Sequence, residues 1–105
     1  VAPVTAWSYY DTAYTERFMR DPENNVEGYA ATSVIERVRQ QDPQHLWAEF
    51  LLVHGTADDN VHLQNSADLA REMTVSPHNI ALEMQYYTDE DHSLSHVTHH
   101  LYTTI

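Results

Sequence analysis

The sequence predicts an α/β fold in which two parallel strands are joined by a crossover helix. The first observation is a continuous apolar run, Phe50-Leu51-Leu52-Val53, which reads as a strand buried on both faces because no polar residue alternates with the apolar ones. The second is a stretch in which Ile80, Leu82, Met84 and Tyr86 alternate with Ala81, Glu83 and Gln85, the period of another strand. Between the two, Leu63, Ala67, Ala70 and Met73 recur at helical spacing. Strand, helix, strand, helix is the order of a parallel pair with a crossover.

The elements can be justified from the start of the chain. Val1 to Val4 is expected to be a short strand, and Pro3, which has no N–H to donate, suits its end or edge. Residues 8–20 are expected to be helical, with Tyr10, Tyr14 and either Arg17 or Phe18 on one face. Asp21-Pro22 opens a turn over 21–25. Residues 31–40 place Ala31, Val34, Ile35 and Val38 at helical spacing, and Ser33 with Glu36 has the form of a capping box. After a break over 40–45 the buried strand is expected at 47–54, and a helix at 61–73. A second break over 74–79 precedes the second strand at 80–87, and a last helix runs from Leu94 onward.

Composition narrows the function classes. A net charge of −11 with only five Lys and Arg lacks the basic footprint that nucleic-acid binding requires. No apolar run reaches the length of a membrane span, and no basic-then-apolar leader opens the chain. With no cysteine the sequence is silent on redox compartment, and no Asn-x-Ser/Thr sequon occurs. Val1 begins as though inside a strand and the last helix runs to Ile105 without a cap, so a segment of a longer protein is expected.

The chemistry concentrates where the first strand ends. "FLLVHGTADDNVH" (50–62) empties directly into Asp58, Asp59, Asn60 and His62, with Gly55 expected to allow a tight turn. In a parallel sheet the carboxyl ends of neighbouring strands line up and ligand sites collect there. The loop carrying His92, in "YYTDEDHSL", leaves the carboxyl end of the other strand, so Asp58 and His92 are candidates to meet. One reading makes Asp58 a helix cap and His92 a solvated loop histidine. The other makes Asp58 the group that orients an imidazole and stabilises its cation, with Asn60 offering an amide to a substrate carbonyl. A zinc site on His92, His96, His99 and His100 is the weaker possibility, because no glutamate follows the first histidine as a His-Glu-x-x-His helix requires. "AWSYY" at 6–10 places Ser8 where a nucleophile elbow would, but Tyr10 is too large for the strained, crowded turn of that motif.

"HGTADDNVH", "YYTDEDH" and "VAPVTAWSYYDTAYTERFM" together resemble the dipeptidyl peptidase 4-like serine peptidases of the prolyl oligopeptidase family. The resemblance implies that residues 1–105 are the C-terminal portion of a peptidase α/β-hydrolase catalytic domain, incomplete on its own and inactive alone, with the nucleophile region and propeller upstream. It makes Asp58 the triad acid and His92 the general base, with Asn60 on a substrate carbonyl. Val4, Trp7, Tyr10, Tyr14 and Val61 match the S1 pocket, and Asp11 matches the acidic position of the dipeptidyl peptidases. The implied activity is release of N-terminal dipeptides after proline or alanine, without metal or cofactor, by a full-length homodimer acting on peptides with a free N-terminus. A catalytically inactive relative serving as an interaction protein is the alternative. "DPENNVEGYAATSV" is similar to the cytosolic branch of the family and the other motifs to its membrane-anchored or secreted members, which leaves the compartment open.

Overall fold

A computed structural model of the chain describes residues 1–42, 49–75 and 80–105. Its two strands, β1 (Phe50–Gly55) and β2 (Leu82–Tyr87), pair in parallel, from Phe50 opposite Leu82 to Gly55 opposite Tyr87. The expected parallel pair is present. The first two residues of the expected first strand, 47 and 48, and much of the two expected breaks lie outside the described residues.

The helices are α1 (Thr12–Met19), α2 (Val26–Thr32), α3 (Val34–Gln40), α4 (Gln64–Val75) and α5 (Thr98–Thr104), with 3₁₀ turns at Trp7–Tyr9 and Ser95–Val97. Their starts follow local capping chemistry. Asp11 accepts the Tyr14 N–H at 2.8 Å and starts α1, later than the expected 8–20 helix, because Tyr10 is extended after the 3₁₀ turn. Asn25 caps α2 through the Gly28 N–H at 3.2 Å, a helix not anticipated from periodicity. Ser33 accepts the Glu36 N–H at 3.3 Å, so the expected 31–40 helix is two helices that break at Ser33, and Ala31 belongs to the first. The return arm of the capping box does not form: the Glu36 carboxylate pairs with Arg39 instead.

Side chains of β1 alternate between two small cores. Leu52 faces Val38 of α3 and Leu69, Ala70 and Met73 of α4, with Phe50, Ile80 and Leu82 at the margin. Val53 faces Tyr87 and Leu94, with Leu51, Val97 and Leu101 alongside. Leu52 and Val53 are both about as buried as a residue can be, at 1% exposure each, as expected of a strand covered on both faces. β2 is less covered: Met84 and Tyr86, from the alternating apolar set, are 48% and 38% exposed.

Two expectations fail for instructive reasons. Val1–Val4 is not a strand. Ala2 takes a positive φ of 40°, and the segment makes one sheet-like bond, from the Ala2 N–H to the Val53 carbonyl at 2.7 Å. The inward face of α4 is also rotated from the expected one: Ala67 is exposed, while Asn65, Ser66, Leu69, Ala70 and Met73 are buried. Two polar residues occupy that face because each has a partner. Asn65 Oδ1 accepts the Thr5 N–H at 3.0 Å, and the Thr5 hydroxyl donates to the Asn65 carbonyl at 2.8 Å. This buried knot fastens the N-terminal segment to α4.

Removing one side of the knot strands the other, and a buried polar group left unpaired costs about 1–3 kcal/mol. Asn65→Ala is therefore expected to destabilise by that amount. Adding Thr5→Val to it should cost less than the two single changes summed, because both act on one network. Thermal unfolding of the four proteins in the cycle measures the coupling, and strict additivity would contradict it.

Candidate active site

The two loops that leave the carboxyl ends of β1 and β2 are tied together by backbone bonds. The Thr56 N–H donates to the Tyr87 carbonyl at 2.9 Å and the Ala57 N–H to the Glu90 carbonyl at 3.0 Å. The Asp89 N–H, on a residue at φ 60°, donates to Thr56 Oγ1 at 2.9 Å. Gly55 serves this closeness and not a turn conformation, since it ends β1 without a positive φ. A Cβ at that position would sit 2.3 Å from the Glu90 carbonyl oxygen and 2.9 Å from that of Asp91.

With the loops held this way, Asp58 and His92 meet. Asp58 Oδ2 lies 2.8 Å from His92 Nδ1, and Oδ1 accepts the N–H groups of Asn60 at 3.0 Å and Val61 at 2.8 Å. The carboxylate is a local cap and an imidazole partner at once, with one oxygen for each task. Its side chain is fully buried, while that of His92 is 44% exposed. Since a carboxylate only accepts, His92 Nδ1 carries a proton, and in the neutral imidazole Nε2 is left with a free lone pair. Burial pushes the Asp58 carboxyl up. The His92 hydrogen bond, the Val61 amide, the His92 charge and the Asn60 amide together outweigh burial and hold it below the usual carboxylate value. Such a group binds its proton more weakly folded than unfolded. Its stabilisation is complete above the unfolded value of about 3.9 and is lost as pH falls through the folded one.

His54 is the residue that periodicity did not single out. It sits in β1 with no exposure, its Nε2 2.7 Å from the Val61 carbonyl and its Nδ1 2.6 Å from Ser66 Oγ. The only signal for it in the sequence is an imidazole inside an otherwise apolar run.

Trp7, Tyr10, Tyr14 and Phe18 form a ladder of rings, edge-on for the first two pairs and tilted for the last. Ring centroids are 5.7 Å apart for Trp7 and Tyr10, 5.6 Å for Tyr10 and Tyr14, and 5.3 Å for Tyr14 and Phe18. Tyr10 Oη donates to Asn60 Oδ1 at 3.2 Å, which links the ladder to the Asp58 loop and leaves the Asn60 amide N–H groups as its donor side. Val61 is buried beside Asp58, and Val4 is half-buried in the N-terminal segment. Asp11, exposed, spends one oxygen capping α1. Asp59 is exposed and Ser8 lies in the 3₁₀ turn.

The other histidines of the zinc possibility do not gather. His96 pairs with Glu90 at 3.1 Å, His100 Nδ1 lies 2.8 Å from Tyr87 Oη, and His99 is exposed. Among the described residues no three His, Cys, Asp or Glu side chains are arranged to hold a metal ion.

The profile of the prolyl oligopeptidase family matches residues 1–104. The chain is 47% identical over 106 residues to venom dipeptidyl peptidase 4 of Apis mellifera, covering 99% of this chain and 13% of that protein. It is 42% identical over 106 residues to prolyl endopeptidase FAP of Homo sapiens, covering 98% and 13%. The crystal structure of Porphyromonas gingivalis dipeptidyl peptidase 4 superposes with a TM-score of 0.85 at 41% identity, covering 98% of this chain and 14% of that one. The chain thus spans about 13% of the length of the curated relatives it matches.

The contact at Gly55 yields a prediction. In Gly55→Ala the added Cβ meets backbone, which cannot swing aside, so the loops must separate. Overpacking of this kind costs about 1–3 kcal/mol. The variant should lose thermal stability accordingly, and its crystal structure should show Asp58 Oδ2 and His92 Nδ1 beyond hydrogen-bond reach. An unmoved pair at full stability would contradict the role given to Gly55.

Proposed function

Given that the chain belongs to the prolyl oligopeptidase family, we propose that it supplies the acid and the general base of a serine-peptidase triad. The observation that carries this is the 2.8 Å contact between a fully buried Asp58 carboxylate and a partly exposed His92 imidazole. With Nδ1 protonated against Asp58, His92 Nε2 can take the proton of a serine hydroxyl supplied elsewhere in the full-length protein. It then returns that proton to the leaving amine, while the ionised Asp58 stabilises the intervening imidazolium. Asp58 needs no proton of its own, and its depressed pKa keeps it charged at neutral pH.

The full-length protein is proposed to release N-terminal dipeptides after proline or alanine. Val4, Trp7, Tyr10, Tyr14 and Val61 would wall the pocket for the residue before the cleaved bond, and Asn60 would donate to a substrate carbonyl. A ladder of flat rings offers apolar area with little conformational freedom to lose, which suits a proline ring. Asp11 keeps one oxygen outside its helix cap and would favour a substrate with a charged amine, the preference of an exopeptidase. The homodimer of the full-length protein is proposed from the family resemblance alone.

Two measurements on the full-length protein test these assignments. Asp58→Asn should lower kcat by about four orders of magnitude and His92→Ala by about six. Asp59→Asn should be much milder, because that side chain faces solvent. Equal losses at 58 and 59 would mean the wrong acid is named. For the pocket, kcat/KM on matched Gly-Pro and Gly-Ala reporters should fall further for proline than for alanine in Tyr10→Ala, since alanine makes fewer ring contacts. The difference should be about 10–200-fold, the range of a hydrophobic pocket. Equal losses on both reporters would remove Tyr10 from the pocket.

A further inference from the structure

His54 and Ser66 are buried, fully hydrogen-bonded, and play no part in the chemistry assigned to Asp58 and His92. Polar groups of this kind are costly to bury, so what they fix is informative. The Val61 carbonyl can only accept, so His54 Nε2 carries the proton and donates to it at 2.7 Å. In the neutral imidazole His54 Nδ1 is then an acceptor, and the Ser66 hydroxyl donates to it at 2.6 Å. Val61 is thereby clamped at both ends: its carbonyl is held by His54 and its N–H is held by Asp58 Oδ1 at 2.8 Å. The other Asp58 oxygen meets His92. Every hydrogen bond in the series has its direction fixed, from the Ser66 hydroxyl through His54 and Val61 to Asp58. His54 Nε2 also lies 3.5 Å from Asp58 Oδ2, which is proximity and not a bond, because the shorter contact to the Val61 carbonyl claims its single proton.

We infer that His54, seated by Ser66, is a positioning residue for the reaction. It fixes the 58–61 turn through the Val61 carbonyl, and so fixes the rotamer in which Asp58 presents Oδ2 to His92. Three features support this over simple core packing. Leucine or valine would fill the same place in β1 without the cost of burying an imidazole. The two ring nitrogens reach two different elements, α4 and the Asp58 turn, which an apolar side chain could not register. Finally, the clamp acts on the residue whose N–H binds Asp58 directly, so a displaced Val61 cannot leave the carboxylate where it was.

This inference rests on the triad reading proposed above, and the experiment separates the two. Full-length protein and its His54→Asn, His54→Gln and Ser66→Ala variants would be treated with a fluorophosphonate, which reports an activated serine whatever the peptide specificity. The extent of labelling counts competent sites, and its rate reports how well the base works. Turnover of a Gly-Pro reporter, per labelled site, would be resolved into kcat and KM. In His54→Asn the shortened amide reaches Ser66 but not the Val61 carbonyl. Labelling should go to the wild-type extent at a rate lowered about 10–100-fold, the cost of a small misplacement of a catalytic group. kcat should fall in parallel with the labelling rate, and any rise in KM should be the smaller effect, because of the proposed substrate contacts only Asn60 and Val61 lie in the turn that His54 holds. His54→Gln, whose amide nitrogen can stand in for Nε2, should recover most of the loss, and Ser66→Ala should show a smaller slowing of the same kind. Unchanged rates with reduced extent of labelling would mean that His54 only supports folding, and no better function in Gln than in Asn would equally overturn the inference. A wild-type protein that labels but does not cleave the reporter would overturn the dipeptidase reading and leave the rate comparison intact. One that does neither would overturn the triad reading and this inference together.

Discussion

The passage of the Glu90–Asp91 backbone over Gly55 is the constraint on which the rest of the site depends. Parallel pairing brings the ends of β1 and β2 to the same edge of the sheet, at the spacing of neighbouring strands. That alone leaves the loops free to diverge. The Glu90 carbonyl prevents divergence by accepting the Ala57 N–H, and it can come close enough only because residue 55 has no side chain. From there the geometry is short-range: Asp58 follows Ala57, and His92 follows Asp91. A contact between residues far apart in sequence is thus set by backbone bonds made next to each partner.

The second organising feature is a set of polar side chains buried on the α4 side of the sheet. Thr5, His54, Asp58, Asn65 and Ser66 are all inaccessible or nearly so. Each of them has a partner, and among the described residues only Thr15 Oγ1 is buried without one. A satisfied buried network stabilises little on average but tolerates few alternative arrangements, because any shift strands a donor or acceptor. That property suits a site in which a carboxylate must point at one nitrogen. The Leu52 and Val53 cores supply apolar burial on the two faces of β1, and the polar set supplies direction.

The aromatic ladder joins this framework through a single side-chain bond. Asp11 fixes where α1 begins, and α1 fixes the spacing of Tyr14 and Phe18, one turn apart. Tyr10 stands outside the helix and reaches across to Asn60. The wall of the proposed pocket is therefore tied to the loop that carries the acid by the Tyr10–Asn60 hydrogen bond.

The sequence by itself determined the strand–helix–strand–helix order of the second half of the chain and the two loops where chemistry would collect. A continuous apolar run at 50–53 and an alternating one at 80–86 suffice for that, because burial leaves a period in the residue types. It also contained Asp58 and His92 as candidates, since parallel strands put their carboxyl ends together. The starts of the helices were less legible. Asp11 and Asn25 cap by hydrogen bonds to particular N–H groups, and polar residues of the same types also occur in turns, whereas the Ser33 cap was legible from its spacing to Glu36. The inward face of α4 could be read only in part from hydrophobicity: Ala70 and Met73 were legible, whereas Asn65 and Ser66 face inward on account of Thr5 and His54. Tertiary structure alone decided those pairings, the distribution of Asp58's two oxygens, and the reason for Gly55. Periodicity records how often a position meets water; which buried donor meets which acceptor depends on where two distant backbones pass, and no residue type encodes that by itself.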